Sequence, residues 1–149
     1  MKLDELLKQD LVFLDLEASD KMGVIEQLAE RMSVDEGVVD LDQFKADLVQ
    51  REANIATGLE HSCAIPHARS RGVSRLVLSF ARLKKGVDFG APDREPARLI
   101  FQFGIPPEQI STYLKILAKL SRLLKMPDLR EALLKAACPA EVVEAFAGK

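Results

Sequence analysis

The stretch TGLEHSCAIPHARS, residues 57–70, contains both histidines of this 149-residue chain and one of its two cysteines. Within it, Pro66 fixes its own φ at about −65° and biases Ile65 toward an extended backbone. His67 therefore follows a stiff apolar segment, which would present a neutral imidazole with a free nitrogen lone pair and a pKa near neutrality. Such a nitrogen can attack phosphorus, carry a phosphoryl group and release it again, which makes His67 the candidate nucleophile.

The segments around this stretch show helical and strand patterns. Apolar spacings of three and four residues predict amphipathic helices, and alternation with a period of two predicts strands. The predicted helices cover residues 3–7, 20–33 with Ser19 as its N-cap, 41–53, 108–125, a segment from Pro127 and a segment from Pro139. The predicted strands cover residues 11–16, 76–81 and 99–105, with a turn at KKG (84–86) and a short strand and loop over 87–96. The apolar stripe of the helix over 108–125 is predicted at Ile110, Leu114, Leu117 and Leu124. This order predicts an α/β or α+β sandwich, a single domain over residues 1–149 in which helices flank a mixed β-sheet.

The composition excludes several classes of protein. Apolar residues make up 48% of the chain, charged residues 30%, and the formal net charge is −2, without the cationic excess of a nucleic-acid binder. The N-terminal residues lack the apolar region of a secretory signal, and no apolar run approaches the ~18 residues of a membrane span. Cys63 and Cys138 lie far apart, which predicts free thiols in a reducing compartment. We therefore expect a cytoplasmic protein with no nucleic-acid partner and no direct membrane insertion.

Phosphoryl transfer at His67 would need groups that neutralise the phosphoryl oxygens. Arg51 is the candidate cation, because its planar guanidinium matches phosphate geometry and keeps its proton. Arg51 also fits a solvated arginine that balances the dipole at a helix C-terminus. Thr57 and Gly58 would supply a hydroxyl and a flexible backbone position for a turn around an anion, although Thr57 also fits an ordinary turn residue. This chemistry needs no metal and no cofactor.

Four segments resemble a known family: RE at 51–52, TG at 57–58, AIPH at 64–67 and FGAPDREPARLIF at 89–101. They are similar to the IIA domain of the bacterial sugar phosphotransferase system, of the fructose/mannitol type and its nitrogen-regulatory relatives. The resemblance extends over nearly the whole chain and implies the IIA sandwich fold. It also implies that His67 accepts a phosphoryl group from the histidine phosphocarrier protein, with Arg51 nearby. A IIB partner would receive the group, or the phosphorylation state would act as a signal.

The chain departs from the family pattern at three positions. Relatives usually carry glycine where this chain has Glu60 and Ser62, and a side chain costs about 1 kcal/mol at each position that needs a positive φ. Glu60 also brings a negative charge toward the expected phosphate. Tyr113 aligns with a second histidine of the family, and its phenol could donate one hydrogen bond to a phosphoryl oxygen. Tyr113 equally fits a helix residue with a packed ring and a solvated hydroxyl.

His61 and Cys63 have several interpretations. His61 fits an exposed loop imidazole, and it could alternatively serve as a second imidazole beside His67. His61, Cys63 and His67 together have the ligand chemistry of a zinc site, but no fourth ligand is evident. Cys63 occupies a position that is aliphatic in the family, which favours a buried thiol that behaves as a small apolar side chain.

The sequence therefore supports two functional hypotheses. The first is a phosphoryl carrier of a phosphoenolpyruvate-dependent phosphotransferase system, with His67 as the acceptor and separate protein partners as donor and recipient. The second is a IIA-like regulator that docks to target proteins with weak or no phosphoryl transfer. The TG and AIPH segments and Arg51 favour the first, and the substitutions Glu60, Ser62 and Tyr113 favour the second.

Overall fold

A six-stranded mixed sheet with helices on both faces forms the protein, as a computed structural model of residues 1–149 shows. The helices are α1 (Leu3–Leu6), α2 (Lys21–Met32), α3 (Leu41–Asn54), α4 (Ile110–Leu123), α5 (Pro127–Lys135) and α6 (Pro139–Ala145), with single 3₁₀ turns at Gln9–Leu11 and Pro107–Gln109. The strands are β1 (Val12–Leu16), β2 (Gly58–Leu59), β3 (Cys63–Ala64), β4 (His67–Arg69), β5 (Val77–Val87) and β6 (Ala97–Ile105). The predicted mixed sheet flanked by helices is confirmed.

The sheet is built around β6. Strand β5 pairs with β6 in antiparallel orientation, and β1 pairs with β5 in parallel. On its other side β6 pairs in parallel with two short strands, first β3 (Cys63 opposite Leu99) and then β4 (His67 opposite Phe103). Strand β2 pairs with β3 at the edge. The peptide between β3 and β4 contains Pro66, so the sheet fixes the backbone on both sides of this proline.

Helices cover both faces of the sheet. Helices α2 and α3 pack on one face, where Phe44 and Leu48 of α3 are buried. Helices α1, α4, α5 and α6 pack on the other face, where Tyr113 and Ile116 of α4 are buried. Strand β6 is buried along almost its whole length, as expected for a strand with helices on both sides. The site around His67 therefore lies where α3 and α4, from opposite faces, both reach β4.

The predicted helices and the strands predicted near residues 11–16, 76–81 and 99–105 are present. The helix predicted after Ser19 begins at Lys21, and its N-cap is Asp20, whose Oδ1 accepts the N–H of Gly23 at 2.8 Å. Ser19 is therefore the wrong N-cap, because the residue directly before the first helical turn carries the acceptor.

The predicted turn at KKG is wrong, since residues 84–86 lie inside β5. The pairing register with β6 shifts in this part of the strand, and the chain reverses in the loop at residues 88–96. A Cβ at Gly86 would lie 2.8 Å from Pro96, so this glycine lets the strand pass close to the loop. A glycine in a strand can mark such a close approach rather than a turn.

The buried face of α4 also differs from the predicted stripe. The buried side chains of this segment are Tyr113, Ile116, Leu120 and Leu124. Leu114 is 55% exposed, and Ile110 and Leu117 are only partly buried. Two helical faces satisfy the same spacing of apolar residues, and the sheet selects the face that carries Tyr113.

The loop between β2 and β3 has a strained backbone. Ser62 has a φ of 61°, and its neighbour His61 has a φ of 67°. Glu60 has no positive φ, so the strain expected at Glu60 falls on His61 instead, while the strain expected at Ser62 is present.

Candidate functional site

His67 begins β4, and its ring orientation is set by one hydrogen bond. Nδ1 lies 2.9 Å from the backbone carbonyl oxygen of Ile65. A carbonyl only accepts hydrogen bonds, so Nδ1 carries the proton and donates it. In the neutral ring the other nitrogen, Nε2, then has no proton and exposes its lone pair. The side chain is half-buried and lines a cavity at the surface of the protein.

The surroundings of His67 keep the ring neutral. Burial lowers the pKa of His67 below its ordinary value of 6.5, and the positive charge of Arg51 lowers it further. The hydrogen bond to the Ile65 carbonyl and the negative charge of Glu52 act in the opposite direction, but burial prevails. The pKa of His67 therefore lies below the near-neutral value expected from the sequence, and the neutral ring is the form present at pH 7.

This depressed pKa predicts the result of a titration. In an NMR titration of the ring Cε1–H, we expect the midpoint of His67 in the folded chain to lie at lower pH than in a peptide of residues 64–68. The sign follows because burial penalises only the charged ring, so a higher proton concentration is needed to form it. A midpoint equal to or above that of the peptide would contradict the burial and the neighbouring guanidinium.

Two arginines share the cavity beside His67. The cavity has a volume of about 600 Å³, and its wall includes Arg51, His67, Arg69 and Tyr113. Arg51 lies in the last turn of α3, where its Nη1 donates to the carbonyl of Ile55 at 2.7 Å. Arg51 therefore occupies the helix end, as one interpretation of the sequence has it. The same hydrogen bond holds its guanidinium close enough to His67 to lower the pKa of the imidazole. The structure brings Arg51 and His67 together.

Arg69 is a residue of this cavity that the sequence analysis did not select. It is exposed and lies two positions after His67 in β4. Residues two apart in a strand point to the same face, so the spacing of His67 and Arg69 was the available signal. The strands β2, β3 and β4 have only two or three residues each, so the sequence pattern does not mark this stretch as strand and the signal could not be used.

Tyr113 packs directly against the ring of His67. The ring centroids of Tyr113 and His67 lie 5.4 Å apart, and those of Tyr113 and Phe103 lie 5.1 Å apart with the ring planes at 75°. The side chain is 3% exposed, and its buried hydroxyl has no hydrogen-bond partner. Burial raises the pKa of Tyr113 to about 12, so the phenol keeps its proton. A buried hydroxyl without a hydrogen-bond partner is costly to the folded state.

Thr57 and Gly58 are placed differently from the expectation. The Thr57 hydroxyl donates to Oε1 of Glu52 at 2.5 Å, and its N–H donates to Oε2 at 2.9 Å. The Gly58 N–H donates to the carbonyl of Phe89 at 3.1 Å. Their donors are therefore already used inside the protein rather than free for an anion. Gly58 is needed for close approach, since a Cβ would lie 2.6 Å from the Phe89 carbonyl oxygen.

His61 and Cys63 lie outside this cavity. His61 is on the loop between β2 and β3, with its N–H bound to Asp93, and it lines cavities that do not include His67. Cys63 is fully buried in the apolar layer, and burial raises the pKa of its thiol to about 12. The zinc interpretation is wrong, because Cys63 packs in the core and no three ligand side chains come together. The second-imidazole interpretation of His61 has no support in this geometry.

The comparison with known proteins agrees with the geometry. Residues 5–149 match the family described as phosphoenolpyruvate-dependent sugar phosphotransferase system, EIIA 2. The chain belongs to this family. The resemblance that the RE, TG and AIPH segments carry is therefore confirmed, together with the IIA fold.

Relatives of this IIA chain fall in both branches of the family. It is 39% identical over 128 residues to the fructose-specific EIIA component of Haloferax volcanii. This alignment covers 85% of this chain and 82% of that protein. It is 32% identical over 136 residues to the fructose-specific EIIABC component of Bacillus subtilis, covering 91% of this chain but 21% of that protein. The crystal structure of the nitrogen regulatory protein IIA-Ntr from Neisseria meningitidis superposes with a TM-score of 0.89 at 29% identity, covering 97% of this chain and 99% of that one.

None of the helices of this IIA chain combines the length and the apolar character that a bilayer crossing requires.

Proposed function

We propose that this IIA chain is a phosphoryl carrier that accepts the group on Nε2 of His67. The observation that carries the proposal is the hydrogen bond from Nδ1 to the Ile65 carbonyl, which leaves Nε2 as the free nitrogen in a cavity shared with Arg51. The donor would be the histidine phosphocarrier protein, as the family resemblance implies. The recipient would be a IIB partner, or the phosphorylated state would act as a regulatory signal.

The transfer step needs no proton movement at the attacking nitrogen. The Nε2 lone pair forms the new N–P bond while the N–P bond to the donor's histidine breaks, and the donor nitrogen takes the electron pair. The Nδ1 proton of His67 stays on its hydrogen bond to Ile65 throughout. The guanidiniums of Arg51 and Arg69 stand beside the transferred group and offset its negative charge.

We assign Tyr113 as a donor to the phosphoryl group. Its hydroxyl is protonated, buried and without a partner, and its ring packs against His67. A phosphoryl oxygen on Nε2 would give this hydroxyl the acceptor that it lacks in the unphosphorylated protein. Tyr113 would then stabilise the phosphorylated state selectively.

Tyr113→Phe tests this assignment. We expect the equilibrium between phosphocarrier and IIA to shift about tenfold toward the donor, since a hydrogen bond to a charged group contributes about 1.5 kcal/mol or more. The unphosphorylated variant should unfold at the same or a higher temperature, because the substitution removes an unpaired buried oxygen. An unchanged transfer equilibrium, measured by isotope exchange with the phosphocarrier, would exclude the hydroxyl as a donor.

The partner proteins would dock on the apolar surface beside the cavity. Leu114 of α4 lines the cavity and is 55% exposed, and Ile55, at the end of α3, is 67% exposed. Exposed apolar side chains next to guanidiniums are typical of the centre of a protein interface. The B. subtilis relative, whose name joins components A, B and C, is consistent with a IIB domain as one occupant.

The direct experiment is phosphorylation of the purified chain. Incubated with phosphoenolpyruvate, the first enzyme of the system and its phosphocarrier, the protein should gain one acid-labile, base-stable phosphate per chain. A chain that gains no phosphate under conditions that label a known IIA protein would contradict the carrier. It would favour the docking regulator, for which the strained loop at His61 and Ser62 and the replacement of a second histidine by Tyr113 are the supporting observations.

A further inference from the structure

We infer that Glu52 is a positioning residue for His67, acting through a series of hydrogen bonds that are linked by the backbone of Thr57 and Ile65. Glu52 itself would not touch the phosphoryl group. The inference assigns a role to the glutamate of the RE segment, and it rests on the proposed function only for one of its two readouts.

Glu52 is a buried carboxylate, which is uncommon near the end of a helix. It lies in the last turns of α3 and is 3% exposed, although a buried carboxylate is costly unless it is hydrogen-bonded and paired. Three donors satisfy it: the N–H of Thr57 at 2.9 Å, the hydroxyl of Thr57 at 2.5 Å and Nζ of Lys21 at 3.4 Å. The carboxylate thus ties the segment after α3 to the helix end, with Lys21 of α2 as its counter-ion.

The series continues from Thr57 to the imidazole. The carbonyl of Thr57 accepts the N–H of Ile65 at 3.1 Å, and the carbonyl of Ile65 accepts Nδ1 of His67 at 2.9 Å. Pro66 lies between the last two residues and restricts the backbone there, so a shift of Ile65 is transmitted to His67. The hydrogen bonds of this series are joined by the covalent backbone of Thr57 and Ile65, so Glu52 acts on the imidazole by fixing the positions of these two residues.

Other contacts hold the local fold independently of this series. The carbonyl of Pro66 accepts the N–H of Phe103 at 3.0 Å, and β4 pairs with β6 from His67 onward. These bonds fix the strand but do not set the rotation of the imidazole or the nitrogen that carries its proton. Removal of the Glu52 interaction should therefore change the orientation and the protonated nitrogen of the His67 ring, while the sheet persists.

The experiment compares four variants in two readouts. Glu52→Gln places an amide N–H₂ group among donors, and Thr57→Val removes the hydroxyl but keeps the shape. Thr57→Ser retains both donors, and Asp42→Asn makes the same carboxylate-to-amide change at an exposed position of α3. The readouts are the protonated nitrogen of His67, from its ¹⁵N imidazole spectrum, and the single-turnover rate of phosphoryl transfer from the phosphorylated phosphocarrier.

We expect the wild-type chain to show His67 protonated at Nδ1 alone. Glu52→Gln and Thr57→Val should give a mixture of the two tautomers and a transfer rate at least tenfold lower. The rate should fall because a displacement of a nucleophile by a fraction of an ångström to about 1 Å slows the reaction strongly. Thr57→Ser and Asp42→Asn should match the wild type in both readouts.

A folded Glu52→Gln variant with the wild-type tautomer and rate would overturn the inference, and so would identical behaviour of Thr57→Val and Thr57→Ser. If Glu52→Gln does not fold, the two Thr57 variants decide. The tautomer readout uses unphosphorylated protein, so a wild-type chain that accepts no phosphate would count against the proposed function alone.

Discussion

His67→Ala should leave no acid-labile phosphate on the protein, whereas His61→Ala should be labelled to the wild-type level. The expected loss is complete, because the only nitrogen with a free lone pair in the cavity belongs to His67. His61 lies on the loop between β2 and β3, outside that cavity, so its removal takes no group away from the site. The measurement is phosphate incorporation from phosphoenolpyruvate through the first enzyme and the phosphocarrier.

The two histidine variants control for each other, because each removes one imidazole from the same short stretch of chain. Thermal unfolding of both should show that the sheet persists, since the main-chain pairing of β4 with β6 does not depend on the His67 ring. Retention of label in His67→Ala, or its loss in His61→Ala with the fold intact, would place the acceptor at a different residue.

Arg82→Met should destabilise the fold by about 3 kcal/mol. Arg82 is a nearly buried guanidinium in β5, and its Nη1 donates to three carbonyls at the end of α5: Leu133 at 3.1 Å, Leu134 at 3.2 Å and Ala136 at 2.7 Å. Methionine fills a similar space but has no hydrogen-bond donor, so these carbonyls lose their charge-assisted hydrogen bonds. Each such hydrogen bond contributes a net stabilisation on the order of 1.5 kcal/mol or more. For a chain of this size the change corresponds to a fall of about 10 °C in the melting temperature.

Asp15→Asn separates this capping role from the ion pair that Arg82 also forms. Asp15 lies 3.3 Å from Arg82, but its side chain is 59% exposed, so the pair is screened by water and contributes little. Asparagine also tolerates the φ of 58° at this position, so the backbone should be unaffected. We expect a cost below about 1 kcal/mol. Equal costs for the two variants in urea unfolding would show that the ion pair, and not the cap of α5, dominates.

Most of the fold could be predicted from the sequence because its major elements have clear periodicity. The alternation of Leu99, Phe101, Phe103 and Ile105 marks β6, and the prolines at 106–107, 127 and 139 lie where helical segments begin. The strands β2, β3 and β4 have only two or three residues each, which is too short for any period to show. They exist because neighbouring strands supply their hydrogen-bond partners: β6 pairs with β3 and β4, and β3 pairs with β2.

Only part of the candidate site could be predicted from the sequence, and the physical reason differs from residue to residue. The proline before His67 and the helix-end position of Arg51 are local features, and the structure brings both side chains to one cavity. The true acceptor of the Thr57 donors, Glu52, could not be predicted because nothing in its sequence neighbourhood marks it as buried. A glutamate after an arginine in an amphipathic helix is usually solvent-exposed, and this one is buried because α2 and the segment at Thr57 both pack against it.

The most direct test of the account is the ¹⁵N imidazole spectrum of the protein before and after phosphorylation. Before phosphorylation, the His67 signals should show a proton on Nδ1 and none on Nε2, as the bond to the Ile65 carbonyl requires. After phosphorylation, coupling to ³¹P should appear at Nε2 of His67, with the Nδ1 proton still in place. Coupling at Nδ1, or coupling in His61 or in no histidine, would contradict the assignment of Nε2 as the nitrogen that carries the phosphoryl group.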